Sequence, residues 1–424
     1  MKSSWLLRMT GLLLAAVMLC GCTSTISMDD LLRAPQLSGN TKSVQNALRS
    51  YLGETVQLRY PNQGDFLSPY FFGDWDGDGQ IDAAVLYQAS SSANVQLALL
   101  CCNADGEWQV IGTVEGLSAA VDSVRLALMQ GTGAEQIMVG YATAGDTYLA
   151  VYSLRDGKIE TVLQQLYNQY LVEDINGDGE DDLIVLSEDS AGKTQVQVLI
   201  GEQDAFTQLP VIELPEEQFS GYASLAAGRG ANGGRFLVLD GWTGVNGQDL
   251  ASAIFQYDAE NHRMVPAALE STDDLYTDSI RYASCLFSRD MNGDGVVDVP
   301  TQTEESGVVS LTQGKRYAFV RWMDFTDTEA EKSFGLLDET YHVYIQLPFQ
   351  WEGNLLLTEA ENGEVEMYNL AGDRLLMRLR ITDDVATGDW NTVGLVASRQ
   401  IQVQLGSTVT ELDLAQLRRG IYQL

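Results

Sequence analysis

Three observations predict a mostly β chain: a β-propeller of five to seven blades, followed by a small C-terminal domain of mostly antiparallel β with some helix. A nine-residue acidic pattern occurs three times, an apolar strand-like run follows each copy, and short polar turns join further alternating runs. A strand pattern repeated at a fixed spacing is the mark of a repeat architecture.

The copies are Asp74-Trp-Asp76-Gly-Asp78-Gly-Gln80-Ile-Asp82, Asp174-Ile-Asn176-Gly-Asp178-Gly-Glu180-Asp-Asp182 and Asp290-Met-Asn292-Gly-Asp294-Gly-Val296-Val-Asp298. The strand-like runs after them are Ala83–Tyr87, Leu183–Leu186 and the shorter Val299-Pro300. The copies start about 100 and about 116 residues apart, too far for one supersecondary unit. Worn copies fill both gaps: Gly131–Gly140 and Gly228–Leu239 keep glycines and a strand but have lost the aspartates. Five units result, with a period of roughly 45 to 60 residues, the range of four-stranded propeller blades. Within the units, Val95–Leu100, Tyr148–Leu154 and Ala253–Tyr257 each lead into a hairpin signal, at Asn103–Gly106, Arg155–Gly157 and Ala259–Asn261.

Ahead of the repeats, Val44, Ala47, Leu48 and Tyr51 fall at helical spacing. A strand over Thr55–Tyr60 follows and is expected to close the ring by pairing with the last blade. From about residue 335 the pattern changes. Tyr341–Leu347 alternates, Pro348-Phe-Gln-Trp351 breaks it, and strands flank turns at Asn362-Gly363 and Gly372-Asp373, with a short helix near Leu412–Leu417. The expected organisation is a signal segment over 1–21, a tether over 22–40, the propeller over 41–330 and the small domain over 335–424.

The repeated loop has the chemistry of a hard-cation site. Calcium takes six to eight oxygen donors at about 2.3 to 2.6 Å in a flexible cage. Side chains at positions one, three, five and nine, with a carbonyl at seven, can supply them, and the glycines permit the tight wrap. Without an ion, the four aspartates of the first copy repel one another, so metal and folding are expected to be coupled. An EF-hand needs a Glu at position twelve and flanking helices. Position twelve here is Val85, Val185 or Thr301, with β-prone residues following, and dockerin-type loops are excluded on the same ground.

An acid at position nine with a strand after it resembles the FG-GAP or VCBS repeat, the unit of integrin-α-like propellers, and Phe72-Gly73 precedes the first copy. The resemblance covers about residues 55 to 330. It implies calcium ligands Asp74, Asp76, Asp78, Asp82 and the Gln80 carbonyl; Asp174, Asn176, Asp178, Asp182 and Glu180; and Asp290, Asn292, Asp294, Asp298 and Val296. About three structural ions are expected.

The N-terminus reads as a processing segment, with Lys2 and Arg8 before the apolar run Leu12–Leu19, which is too short to span a bilayer. Leu19-Cys20-Gly21-Cys22 resembles a bacterial lipobox, which implies cleavage before Cys22 and a diacylglycerol on its thiol. Two acyl chains anchor firmly, so an extracytoplasmic lipoprotein on a membrane of the cell envelope is expected. With 25 basic and 59 acidic residues, the formal charge is −34. Such a chain repels nucleic acid and anionic lipid. Cys101 and Cys102 point to opposite faces of a strand, and either could pair with Cys285 or remain a free thiol.

No catalytic constellation stands out. His262 and His342 fall in different expected domains, and there is no nucleophile elbow or Walker-type phosphate loop. The reading is a monomeric, non-enzymatic module that binds a protein or glycan at the envelope. The alternatives are a carbohydrate-active lyase or hydrolase, with Trp351 and Trp390 as a sugar-stacking platform, and a non-catalytic envelope-assembly scaffold.

Overall fold

The computed structural model describes residues 39–424 apart from 54–55, 104–105, 203–204, 213, 216, 231, 268–277, 303–308, 311–315, 326–332 and 361–363. The signal segment, Cys22, most of the tether and the Asn362-Gly363 turn lie outside them.

Each of the five units forms one antiparallel sheet. The first contains β1 (Gln57–Leu58), β2 (Tyr70–Gly73), β3 (Asp82–Gln88), β4 (Gln96–Cys102) and β5 (Trp108–Glu115). The second is β6 (Ala120–Ala127), β7 (Gln136–Ala142), β8 (Thr147–Arg155) and β9 (Lys158–Tyr167). The third is β10 (Gln169–Glu173), β11 (Asp182–Glu188), β12 (Thr194–Glu202) and β13 (Ala205–Gln208). The fourth is β14 (Gly221–Arg229), β15 (Arg235–Thr243), β16 (Asp249–Asp258) and β17 (Arg263–Pro266). The fifth begins with β18 (Val299–Thr301), β19 (Val309–Ser310), β20 (Arg316–Met323), β21 (Ser333–Asp338) and β22 (Val343–Leu347). Two of the expected turns are present: Asp156-Gly157 joins β8 to β9 with both residues at positive φ, and residues 259–262 join β16 to β17, while the middle of the Asn103–Gly106 turn lies outside the described residues.

Burial on both faces of the second strand of each unit stacks the sheets in sequence order. In β3, Ala84 and Leu86 pack with Ile137, Val139 and Tyr141 of the second sheet, while Ala83, Val85 and Tyr87 face the other way. Met138 of β7 meets Leu183 and Val185 of β11, and Ile184 and Leu186 meet Leu237 and Leu239 of β15. Phe236 and Val238 then pack against Val297 and Val299 of the fifth unit. Because strand side chains alternate between faces, one seven-residue strand serves two interfaces. Near-continuous apolar runs such as Ala83–Tyr87 are the result.

The free face of the first sheet is covered by α1 (Gly39–Leu52), whose Val44 and Leu48 are fully buried against Tyr70 and Val85. Tyr51, expected on that face, is 58% exposed. The expected ring-closing strand is corrected: β1 pairs with β3 through Gln57↔Gln88 and Leu58↔Tyr87, on the edge that β2 extends, and among the described residues it makes no pairing with the last unit. Proximity decides this, since α1 delivers the chain to the first sheet.

The C-terminal part holds a sheet of β23 (Leu355–Glu359), β24 (Val365–Asn369), β25 (Leu375–Thr382), β26 (Asn391–Val396) and β27 (Arg399–Leu405), and the helix α2 (Leu414–Arg419). Asp413 caps α2 by accepting from Ala415 and Gln416, and Gln416 returns the bond to complete a capping box. The last strand, β28 (Ile421–Gln423), then joins the fifth sheet beside β22. Sheet membership does not change at 335. The fifth sheet runs from β20 through β22, and the break falls between Leu347 and Leu355 at the 3₁₀ turn Phe349–Trp351. Phe319, Phe334 and Ile345 share one core with Met367, Leu379 and Val403.

The fourth and fifth units are also joined by a wholly buried ion pair. Arg281 (0% exposed) meets Asp240 (1% exposed) at 2.6 Å, and its Nη1 donates to Ser252 and to the Ser279 carbonyl. Ser252 and Ser288 donate to the same carboxylate at 2.7 and 2.8 Å. Removing one member strands a buried charge. Asp240→Asn or Arg281→Met is therefore expected to cost roughly 3–5 kcal/mol in denaturant unfolding, with the double variant Asp240→Leu/Arg281→Met recovering much of the loss.

Candidate metal centres

The three acidic loops adopt one hydrogen-bonding scheme. At position one, Asp74 accepts from Gly77 and Gly79 at 2.7 and 2.8 Å, Asp174 from Gly177 and Gly179 at 2.6 and 3.2 Å, and Asp290 from Gly293 and Gly295 at 2.7 Å each. At position three, Asp76, Asn176 and Asn292 accept from the N–H two residues on, as do Asp78, Asp178 and Asp294 at position five. All six of those glycines sit at φ between 75° and 93°, which a side-chain-bearing residue rarely adopts.

Position nine anchors each loop to the fold. Asp82, Asp182 and Asp298 accept the N–H of position two, from Trp75, Ile175 and Met291, at 3.2, 3.1 and 3.1 Å. Trp75 and Ile175 are buried, and Met291 packs on the fifth sheet's core, so an apolar side chain pins the loop from beneath. The sequence carried this signal at position two, and the pattern of acids alone missed it.

The donors of Asp74, Asp76 and Asp78 lie within 4.8 Å of one another, and Asp82 joins Asp76 and the Cys101 thiol in a second such group. The side chains at position seven turn to protein partners, Gln80 to Asp78 and Glu180 to the N–H of Gly131. Their main-chain carbonyls are what remains to offer an ion. Among the described residues, no Lys or Arg forms an ion pair with Asp82, Asp182 or Asp298. Burial pushes the carboxyl of Asp182 up to about 7 and that of Asp298 up to about 6. Burial likewise raises Asp82, which is 2% exposed. Buried carboxylates without a cation are costly to ionise, and a hard cation held by oxygen donors removes that cost. The donor set fits calcium.

The worn loops keep the frame and lose the charge. Gln136 starts β7 as Asp82 starts β3, accepts from Met129 at 2.8 Å, and donates to the Ala134 carbonyl. Gly131 and Gly133 hold positive φ. Leu128, Gln130, Thr132 and Gln136 thus stand where the acids would be, so none of the four positions offers a carboxylate. In the fourth unit, Arg235 starts β15, and Asn232 accepts from Gly234.

Successive loops also clasp one another. Glu135 donates its N–H to the Asp74 carbonyl while its carboxylate accepts the Asp74 N–H. Asp181 and Leu128 repeat the exchange. Arg229 and Val297 are joined by a main-chain bond at the corresponding place in the last pair. Between the third and fourth units, Arg235 meets Asp174 at 2.8 Å. Gly201 of β12 lies so close to the Met129 carbonyl that a Cβ there would collide with it.

Elsewhere, Cys101, Cys102 and Cys285 are free thiols. His262 and His342 occupy separate hairpin turns at positive φ. Trp351 is core, with its indole N–H reaching Glu411 at 3.4 Å, and Trp390 stacks under the Arg380 guanidinium at 4.1 Å, so the two form no joint platform.

No protein-family model matches the sequence, and no curated protein does. Among solved structures, the chain is similar to a hypothetical protein from Leishmania major at 12% identity, TM-score 0.22, covering 69% of this chain and 94% of that one. It is also similar to TolB from Acinetobacter baumannii at 10% identity, TM-score 0.27, covering 82% and 66%. A third match is the exotype rhamnogalacturonan lyase YesX at 14% identity, TM-score 0.22, covering 56% and 60%. The mostly β architecture stands on the strands themselves.

A carboxyl raised on folding favours the protonated native state, so its contribution falls as pH rises from its ordinary 3.8 through its folded value. In chelator, the thermal midpoint is expected to fall between about pH 4 and about pH 7. Asp182→Asn should flatten that slope, and calcium should flatten it in the parent.

Proposed function

We propose that this chain is a lipid-anchored extracytoplasmic module: a calcium-stabilised β-propeller of five to seven blades with a small C-terminal domain, which binds a protein or glycan at the cell envelope. The observation that carries the reading is the shared scheme of the three acidic loops, each placing one carboxylate at the start of the buried strand that follows it. Sheets of four or more strands, stacked in sequence order with equivalent loops clasped along one edge, support the blade reading. Calcium supplies charge neutralisation and fixes the loop. Asp74, Asp76, Asp78 and Asp82 would hold one ion, Asp174, Asn176, Asp178 and Asp182 a second, and Asp290, Asn292, Asp294 and Asp298 a third. The role given to the metal is structural, since each loop precedes a strand buried on both faces.

The lipid anchor rests on the Cys22 motif. Among the described residues no helix is long and apolar enough to cross a membrane, and Cys22 lies outside them. Binding rather than catalysis is favoured because the aromatic and histidine side chains that could build an active site are dispersed into core, cation stacking and turns.

The test is residues 23–424 stripped with chelator and titrated with calcium by calorimetry and thermal unfolding. About three sites and a midpoint rising with calcium are expected, falling to about two sites in Asp178→Ala. No heat and no shift would overturn the metal reading. Glycan arrays and pull-downs from envelope extract, run with calcium present, then separate a ligand-binding module from a scaffold. Turnover of a polysaccharide would overturn the non-enzymatic reading.

A further inference from the structure

The three acidic loops differ in what the next unit brings to them. The first loop faces Glu135, whose carboxylate is taken up by the Asp74 N–H, and the carbonyl of Thr132 near Gly77. No cation of the second unit forms an ion pair there among the described residues. The third loop meets Arg229, whose Nη2 reaches the main-chain carbonyl of Asp294 at 3.4 Å and no loop carboxylate. The second loop differs from both. Arg235 places Nη2 2.8 Å from Oδ2 of Asp174, with the two side chains only 22% and 18% exposed. The guanidinium lies along Gly177, as that of Arg229 lies along Gly295 in the third loop, so it is the contact with a loop carboxylate that sets the second loop apart.

Arg235 occupies a telling register. It is the first residue of β15, as Asp82, Gln136 and Asp182 are the first residues of β3, β7 and β11. Where three units put an oxygen donor that folds back on its own loop, the fourth puts a cation that reaches into its neighbour's. We infer that Arg235 is a resident counter-cation of the 174–182 loop, which competes with the divalent ion for Asp174 and makes this loop the last of the three to fill. The inference rests on the reading of the loops as calcium sites.

The physics runs in two directions. Without metal, the guanidinium neutralises part of the repulsion among Asp174, Asp178 and Asp182, so this loop is held in shape by the protein's own charge. With metal, a positive group beside a ligand carboxylate opposes the ion, and the charge-assisted bond to Asp174 must loosen as the ion takes that oxygen. The first loop, with four aspartates and no such neighbour, fills first. Calcium then strengthens the stack at its first unit before the third.

The experiment compares residues 23–424 with Arg235→Gln, a residue the fold already accepts at the equivalent Gln136, and with Arg235→Lys. Calcium titration by calorimetry and the thermal midpoint in chelator are both read. Arg235→Gln is expected to tighten one site about tenfold, the size of one partly screened charge interaction. It should leave the other sites unchanged and lower the midpoint in chelator. Arg235→Lys should fall between the two, and adding Asp178→Ala to Arg235→Gln should abolish the tightened site. If the parent binds calcium but Arg235→Gln leaves every affinity unchanged, or weakens one, Arg235 is no competitor and this inference alone fails. If the parent binds no calcium, the reading of the loops fails and takes the inference with it.

Discussion

The fold depends on one recurring bond, from the N–H at the second position of each acidic loop, or of its neutral counterpart, into the side chain at or just before the first residue of the next strand. Trp75 to Asp82, Met129 to Gln136, Ile175 to Asp182 and Met291 to Asp298 are the four instances. The bond closes a loop rich in positive-φ glycine, and it fixes where the strand starts, hence which side chains face which neighbour. A slip of one residue would exchange the two faces of a strand buried on both. That strand is the shared wall between successive cores, so the register error would spread to two interfaces at once.

Gln136 separates the two tasks of the ninth position. A neutral amide makes the loop-closing bond and satisfies its remaining donor on the Ala134 carbonyl, so closure needs no charge. The aspartates therefore carry a cost that closure alone does not require: a buried carboxyl raised by desolvation, in loops where further carboxylates converge. Such an arrangement makes chemical sense around a cation. In the fourth unit the same register is given to Arg235, and the charge is turned outward to the neighbouring loop. One structural position thus holds a carboxylate, a neutral amide that closes the loop, or a guanidinium that reaches the neighbouring loop, depending on the residue.

The ends of the stack are handled differently from its middle. The face of the first sheet that has no second-sheet partner carries α1, and the fifth sheet carries the C-terminal sheet and accepts β28 as an added strand. The buried Asp240–Arg281 pair lies where the fifth unit departs from the plain four-stranded pattern. There the strand before the loop is reduced to isolated bridges such as Arg289↔Asp298. A buried ion pair braced by hydrogen bonds from Ser252 and Ser288, in place of apolar packing, joins the segment around 279–288 to the fourth sheet.

Local chemistry fixed much of this in the sequence. Glycines at positions four and six, Asp at one, five and nine, Asp or Asn at three, and β-prone runs after position nine define loop, strand start and donor set within a dozen residues. Turns such as Asp156-Gly157 and the helix around Val44 and Leu48 follow from equally local preferences. Non-local packing decided the rest. Tertiary structure placed β1 on the first sheet, carried the fifth sheet past residue 335, left Cys101, Cys102 and Cys285 unpaired and buried Trp351. It also set Arg235 against Asp174, 61 residues away in the chain. Contacts of that kind depend on which sheet faces which, and sequence spacing within a unit holds no record of it.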